Sequence, residues 1–134
     1  SKGLLEMYSI NYAFHHSQLI CKNNPQFIIK ITGRYFLPTL EEYLKSIDFT
    51  LYKSIRQKKC ILNRCEMVGC HVEIFKNFFN LKLNKEEMIH YKYVESIYKI
   101  RHQALAKDKI FTYKPLKLGW TTFCGGKNKS HTHL

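Results

Sequence analysis

Residues 3–20, GLLEMYSINYAFHHSQLI, carry Met7, Ile10, Phe14 and Ser17 at steps of three and four, and Leu4, Ala13 and Ile20 widen the same stripe. That spacing predicts an amphipathic helix. CKNNP ends it, because Asn favours turns and Pro25 disfavours helix at the residue before it. The period then changes. QFIIKIT is short and rich in β-branched residues, the composition of a buried strand, and Gly33 marks its exit. Pro38 and Thr39 open a short helix through Glu41, Glu42 and Leu44. Proline fits a first turn, where its missing N–H costs nothing, and the acids suit the positive end of the helix dipole.

FTLYKSI (49–55) alternates and predicts a second strand; RQKKCILNR is a basic connection, and CEMVGC (65–70) reads as a third short strand. HVEIFKNFFN returns to helical spacing through Val72, Phe75, Phe78 and Phe79. Residues 84–104 predict one long helix, with Met88, Tyr91, Val94 or Glu95, and Tyr98 on one face. Asn84 and Glu87 stand at the spacing of a capping box at its start. KIFTYKPLKL offers one more extended segment, and GWTTFCGGKNKSHTHL reads as a polar, glycine-bearing tail. Alternation of helix and strand predicts a layered α/β fold, a sheet flanked by helices.

Length fits that reading: 134 residues are the size of one domain, spanning 1–134, with enough chain to bury a core. The chain opens Ser1-Lys2-Gly3, almost at once inside a helical pattern, so a fragment or processed product is expected. No apolar run approaches the ~18 residues of a membrane span, and no signal-peptide pattern is present. The expected location is cytoplasmic. Five cysteines, Cys21, Cys60, Cys65, Cys70 and Cys124, are an odd number without a secretory signal, which fits reduced thiols better than a disulfide framework. Cys65, Cys70 and His71 are the nearest approach to a zinc set, at a spacing poor for a structural site.

Charge narrows the partners. Twenty-two Lys and Arg against ten acids give a formal +12, a field that attracts nucleic acid, anionic lipid or phosphorylated small molecules. The lysines are spread along the chain with no Arg-rich block, so charge alone does not make a nucleic-acid binder.

Four places hold candidate chemistry. The first is the end of the QFIIKIT strand. In open α/β sheets ligands gather beyond the carboxyl ends of strands. Arg34 there suits a phosphate or carboxylate, Gly33 permits close backbone approach, and Tyr35 suits stacking on a base or sugar. The alternative is Arg34 paired inside the fold with Glu66 or Glu95, and Tyr35 in the core. Glu66, beside Arg64 in an apolar run, is a general base or the partner of a buried Arg. Glu95 sits on the apolar side of the long helix, where a carboxylate pairs with a cation or orients a hydroxyl. Gly125, Gly126, Lys127 and Lys129 form a cationic segment able to close over a diphosphate, or else a floppy terminus. His131 and His133 are a weak metal signal.

Absences exclude several classes. Only two aspartates occur, Asp48 and Asp108, and neither has an acidic neighbour two residues away, so no Asp-x-Asp metal clamp exists. Nor does a Gly-x-Ser-x-Gly elbow, a His-Glu-x-x-His helix, a P-loop or a dinucleotide Gly-x-Gly-x-x-G appear.

Taken in order, Lys2-Gly3, Glu6, IIKITGRYFLP, RCEMVGC, VESIY and TTFCGG resemble glycosyltransferase-like proteins of microbes and large viruses. In these, K-I-T-G-R-Y closes a central strand of a nucleotide-sugar-binding domain of the GT-A, Rossmann-like type. The resemblance covers nearly the whole chain as the C-terminal part of such a domain. It implies transfer of a sugar from a nucleotide-diphosphate donor to a hydroxyl acceptor. Lys30, Thr32, Gly33, Arg34 and Tyr35 would border the donor, Glu66 or Glu95 would serve the acceptor, and Gly125, Gly126 and Lys127 would lie near the diphosphate. The base-gripping first strand of the family would precede residue 1. Mn or Mg would be required only if its ligands lie outside this chain. The rival expectation is a non-catalytic basic module that binds single-stranded nucleic acid on its nineteen aromatics.

Overall fold

The computed structural model describes residues 2–33, 35–58, 64–123 and 130–134. The first stripe folds as its spacing predicts and then breaks. Leu4, Met7, Ile10 and Phe14 lie on one side of α1 (Lys2–His16) and meet the same apolar cluster. Ser17 interrupts the helix: its backbone is extended and its hydroxyl accepts from Ile20 N–H, so it caps a separate α2 (Gln18–Asn23). A serine that satisfies a nearby N–H offers the backbone an alternative to continuing the helix.

β1 (Phe27–Ile31) lies inside the expected QFIIKIT run and stops one residue short of its end, and α3 (Leu40–Lys45) follows. The alternating run 49–55 is only partly strand. Asp48 caps a 3-10 turn over Phe49–Leu51, and β2 runs from Ser54 to Gln57. β3 (Met67–His71) overlaps the CEMVGC run expected as a strand but begins two residues later and ends one later. HVEIFKNFFN forms a 3-10 turn and the single-turn α4 (Phe75–Phe78).

The long helix expected over 84–104 is two helices. α5 (Lys85–Ile89) begins with the predicted capping box between Asn84 and Glu87; the chain then turns, and α6 (Val94–Gln103) starts after an extended Tyr93. The reason is a buried ion pair. Arg101 donates from Nε to Glu87 Oε1 at 2.7 Å, from Nη2 to Oε2 at 3.1 Å, and from Nη1 to the Phe78 carbonyl at 2.7 Å. In an unbroken helix, fourteen residues would set 87 and 101 about 21 Å apart. Val94, Ile97, Tyr98, Arg101 and His102 form the buried side of α6, while Met88 and Tyr91, expected on that face, stay exposed.

β4 (Ile110–Tyr113) is the extended segment expected there. The expected polar tail is instead a second, two-stranded sheet of β5 (Lys117–Phe123) and β6 (Ser130–His133). Leu116 and Leu134 exchange backbone hydrogen bonds, and Leu118 and Leu134 are buried. Two leucines are enough to anchor what composition reads as loop.

The main sheet has the order β1-β3-β2-β4. β3 is antiparallel to β1 and to β2, while β2 and β4 run parallel. The carboxyl ends of β1, β2 and β4 therefore share one edge of the sheet with the start of β3. The fold is mixed α/β, a mixed sheet flanked by helices. One expectation changes: the IIKIT strand is not central but lies at a margin of this sheet, hydrogen-bonded only to β3 among the described strands.

Alternation along each strand separates two cores. Val68 and Cys70 turn toward α1, α4 and α6, where Met7, Phe75, Phe78, Phe79, Val94, Ile97 and Tyr98 complete one cluster. Ile55, Met67 and Tyr113 turn the other way, joining Leu37, Leu118 and Leu134. Gly69 in β3 permits the tight approach of β1, since a Cβ there would press on the Ile28 carbonyl and come within 2.9 Å of Ile29 Cα.

Candidate functional site

Beyond the carboxyl end of β2 the chain is basic, and the described residues at that edge surround a cleft of about 70 Å³. Arg56, Gln57 and Lys58 come from β2 and its exit, Arg64 and Cys65 from the approach to β3, and Glu95, Tyr98, Lys99 and His102 from α6. The spacing of the helix residues explains their convergence: 95, 99 and 102 are four and three apart and share one side. Four cations face one carboxylate, Glu95. Among the described residues no carboxylate lies within ion-pair distance of Arg56, Lys58 or Lys99. Low-dielectric walls lined by one sign of charge concentrate ligands of the other.

The floor is polar and partly unsatisfied. Ser54 Oγ and His102 Nδ1 share a hydrogen bond of 3.0 Å between fully buried side chains. His102 Nε2 is buried without a hydrogen-bond partner among the described residues. Burial first, and then the charge of Arg56, lower the pKa of His102 to about 3, so the ring is neutral at ordinary pH. The Cys65 thiol is pushed up to about 12, mainly by burial, which keeps it protonated and unreactive.

The expected site residues divide into groups. Glu95 lines the cleft. Glu66 does not line it; its Oε1 is 4.0 Å from Arg64 Nε, and its Oε2 is buried without a partner among the described residues. Lys30 is turned inward: its ammonium meets Glu6 Oε1 at 2.9 Å, the Cys65 carbonyl at 2.8 Å and Thr32 Oγ1 at 3.3 Å. Those three acceptors match the three protons of an ammonium, so Lys30 ties α1 to β1 and β3 and has no donor left for a ligand. Thr32 is held by that contact and by its N–H to the Glu66 carbonyl. Tyr35 packs against the second apolar cluster. Gly33 is exposed, with open space where a Cβ would stand. Arg34, Gly125, Gly126 and Lys127 lie outside the described residues.

Of the zinc set, Cys65 and Cys70 are buried in the first core, and among the described residues no three His, Cys, Asp or Glu side chains are grouped as metal ligands would be. No helix among the described residues is long and apolar enough to cross a membrane.

Arg56, Lys58, Lys99 and His102 were not singled out by residue type. The signals were present: Arg56 and Lys58 fall at a strand's carboxyl end, and Glu95, Lys99 and His102 recur at helical spacing beside the buried Tyr98. Compared with known proteins, the chain matches no family model, no curated protein and no solved structure.

Proposed function

We propose that this chain binds the diphosphate of a nucleotide-sugar donor in the basic cleft and passes the sugar to a hydroxyl acceptor. The observation that carries the reading is the convergence of Arg56, Lys58, Arg64 and Lys99 at the edge where three strands end. Such edges are where ligands of α/β sheets bind. The resemblance of the K-I-T-G-R-Y region to GT-A-type glycosyltransferases supports the reaction type. The cationic role expected of Lys30 passes to these four side chains.

In this reading Glu95 accepts the proton of the acceptor hydroxyl as its oxygen bonds to the anomeric carbon of the sugar. The bond from that carbon to the diphosphate breaks and its electron pair leaves on the diphosphate oxygen. Arg56, Lys58, Arg64 and Lys99 meet the charge that develops there. One carboxylate among four cations does not fit a divalent metal, which calls for several oxygen ligands.

Thermal unfolding in the presence of UDP and GDP tests the reading. A ligand selective for the folded state, present at a hundred times its Kd, adds about 2.7 kcal/mol of stability. A rise in Tm with either nucleotide, lost in the R56Q/K99Q double variant, is the expected result. No rise with either, together with binding of a thymidine oligonucleotide whose affinity falls steeply with salt, would replace it with the nucleic-acid reading. That rival lacks one feature in the cleft itself: its aromatic, Tyr98, is buried and offers no face for stacking.

A further inference from the structure

A larger hollow adjoins the basic cleft. Arg56, His102 and Gln103 border both, and Leu105, Lys107, Ile110 and Thr112 complete the second, which encloses about 310 Å³. It forms where α6 ends at Gln103 and leaves β4, at the sheet's margin, partly uncovered. Register explains the shared wall: Arg56 of β2 lies beside Thr112 of β4 and Ser54 beside Ile110, so all four point to the side on which α6 packs.

Its lining combines three chemistries: the cations Arg56 and Lys107, the apolar Leu105 and Ile110, and the hydrogen-bonding Gln103, Thr112 and His102. A bare anion would engage only the first, and an apolar ligand only the second. The volume lies at the lower end of small-molecule pockets, room for one ring rather than a chain of rings. A second observation points the same way. His102 is 3% exposed, yet its Nε2 has no partner among the described residues, and a buried polar atom so placed costs free energy until something bonds it.

We propose that this second cleft binds a sugar phosphate, with its phosphate on Arg56 and Lys107, its ring against Leu105 and Ile110, one ring hydroxyl on His102 Nε2 and another on the Thr112 hydroxyl. A hydroxyl both donates and accepts, so it satisfies Nε2 in whichever tautomer the bond to Ser54 selects. The ring is suited to this because it is uncharged: it recognises the hydroxyl and leaves the phosphate to the cations. Nε2 is closed off from water in the free protein. In this binding mode a side chain of the cleft wall must move for a hydroxyl to reach it, and Arg56 borders both clefts. Binding there does not require glycosyl transfer in the neighbouring cleft.

Histidine side-chain ¹⁵N spectra of the full chain, titrated with ribose 5-phosphate, glucose 1-phosphate, ribose and inorganic phosphate, provide the test. At least one sugar phosphate is expected to move the His102 Nε2 resonance, while inorganic phosphate and ribose leave it in place. K107A is expected to weaken that sugar phosphate about tenfold, the loss of one charge-assisted bond. T112V, equal in volume and lacking the hydroxyl, should weaken it without changing Tm. An unmoved Nε2 with both sugar phosphates, or binding indifferent to K107A and T112V, overturns the assignment. UDP and GDP binding is read separately, so either site can fail while the other stands.

Discussion

Arg101 and Glu87, fourteen residues apart, are joined by two parallel hydrogen bonds of 2.7 and 3.1 Å in the interior. Both side chains are almost wholly buried, and the third donor of the guanidinium is spent on the Phe78 carbonyl. The pair folds α5 back against α6. Removing one partner leaves a charge buried without compensation, which costs about 3–5 kcal/mol. E87Q and R101M are each expected to lower the urea midpoint accordingly. A change below about 1 kcal/mol in both would mean that the turn at 90–93 is held by something else.

The same pair has a pH signature. Burial alone would raise the pKa of Glu87, but the Arg101 bonds, the Asn84 backbone N–H and the guanidinium charge outweigh it and hold the group below its ordinary value. A carboxyl depressed in the folded state stabilises above its unfolded pKa, and that contribution is lost as pH falls through the folded one. The Glu87 carboxyl carbon, followed by NMR, should report an ionised group below the ordinary glutamate value of about 4.3.

His102 predicts an earlier acid effect. Its folded pKa of about 3 lies below the unfolded value, near 6.5, so the unfolded chain takes up the proton first as pH falls. Stability from this group is full above about 6.5 and shrinks by up to about 1.4 kcal/mol per pH unit below it. Between pH 6.5 and 5 the wild type is expected to lose roughly 1.5 kcal/mol through His102. H102Q, which keeps a group able to bond Ser54, should flatten that slope; an equal slope in the variant would assign the effect to another residue.

These effects mark how far residue order alone was readable. The stripe of α1, strands within 26–32 and 65–70 and the Asn84–Glu87 box followed from spacing and local composition, because each is a local rule. The break between α5 and α6 did not, because it depends on Arg101 reaching a carboxylate fourteen positions back. Lys30 was readable as an exceptional cation in an apolar strand, but not as the partner of Glu6, which a separate helix brings to it. Glu95 was picked out for its place on an apolar helix face, while the cations around it became visible only once β2 and α6 were set side by side.

Lys30 and Arg56 should separate under mutation. K30M removes bonds that join α1 to the sheet and leaves Glu6 and the Cys65 carbonyl short of a donor, a loss of about 1–3 kcal/mol. R56Q, at the cleft, should alter Tm little and reduce nucleotide binding. The reverse pattern, with K30M stable and defective in binding, would return Lys30 to the ligand.

Two glycines make a further contrast. G69A forces a methyl group against the Ile28 carbonyl and Ile29 in the middle of the sheet, an overpacking that costs about 1–3 kcal/mol. G33A meets open space and is expected to stay within about 0.5 kcal/mol of wild type by chemical denaturation.

Each inner strand divides its neighbours between two unlike surroundings, and that sets how much misalignment the protein can tolerate. Sliding β2 by a single position would drive the guanidinium of Arg56 into the grease around Tyr113 and strand Ile55 among the lysines. Neither half could absorb the exchange. The ladder that zips the strands together is thus also what keeps the charged hollow charged, and any ligand settling there inherits its accuracy from bonds it never touches.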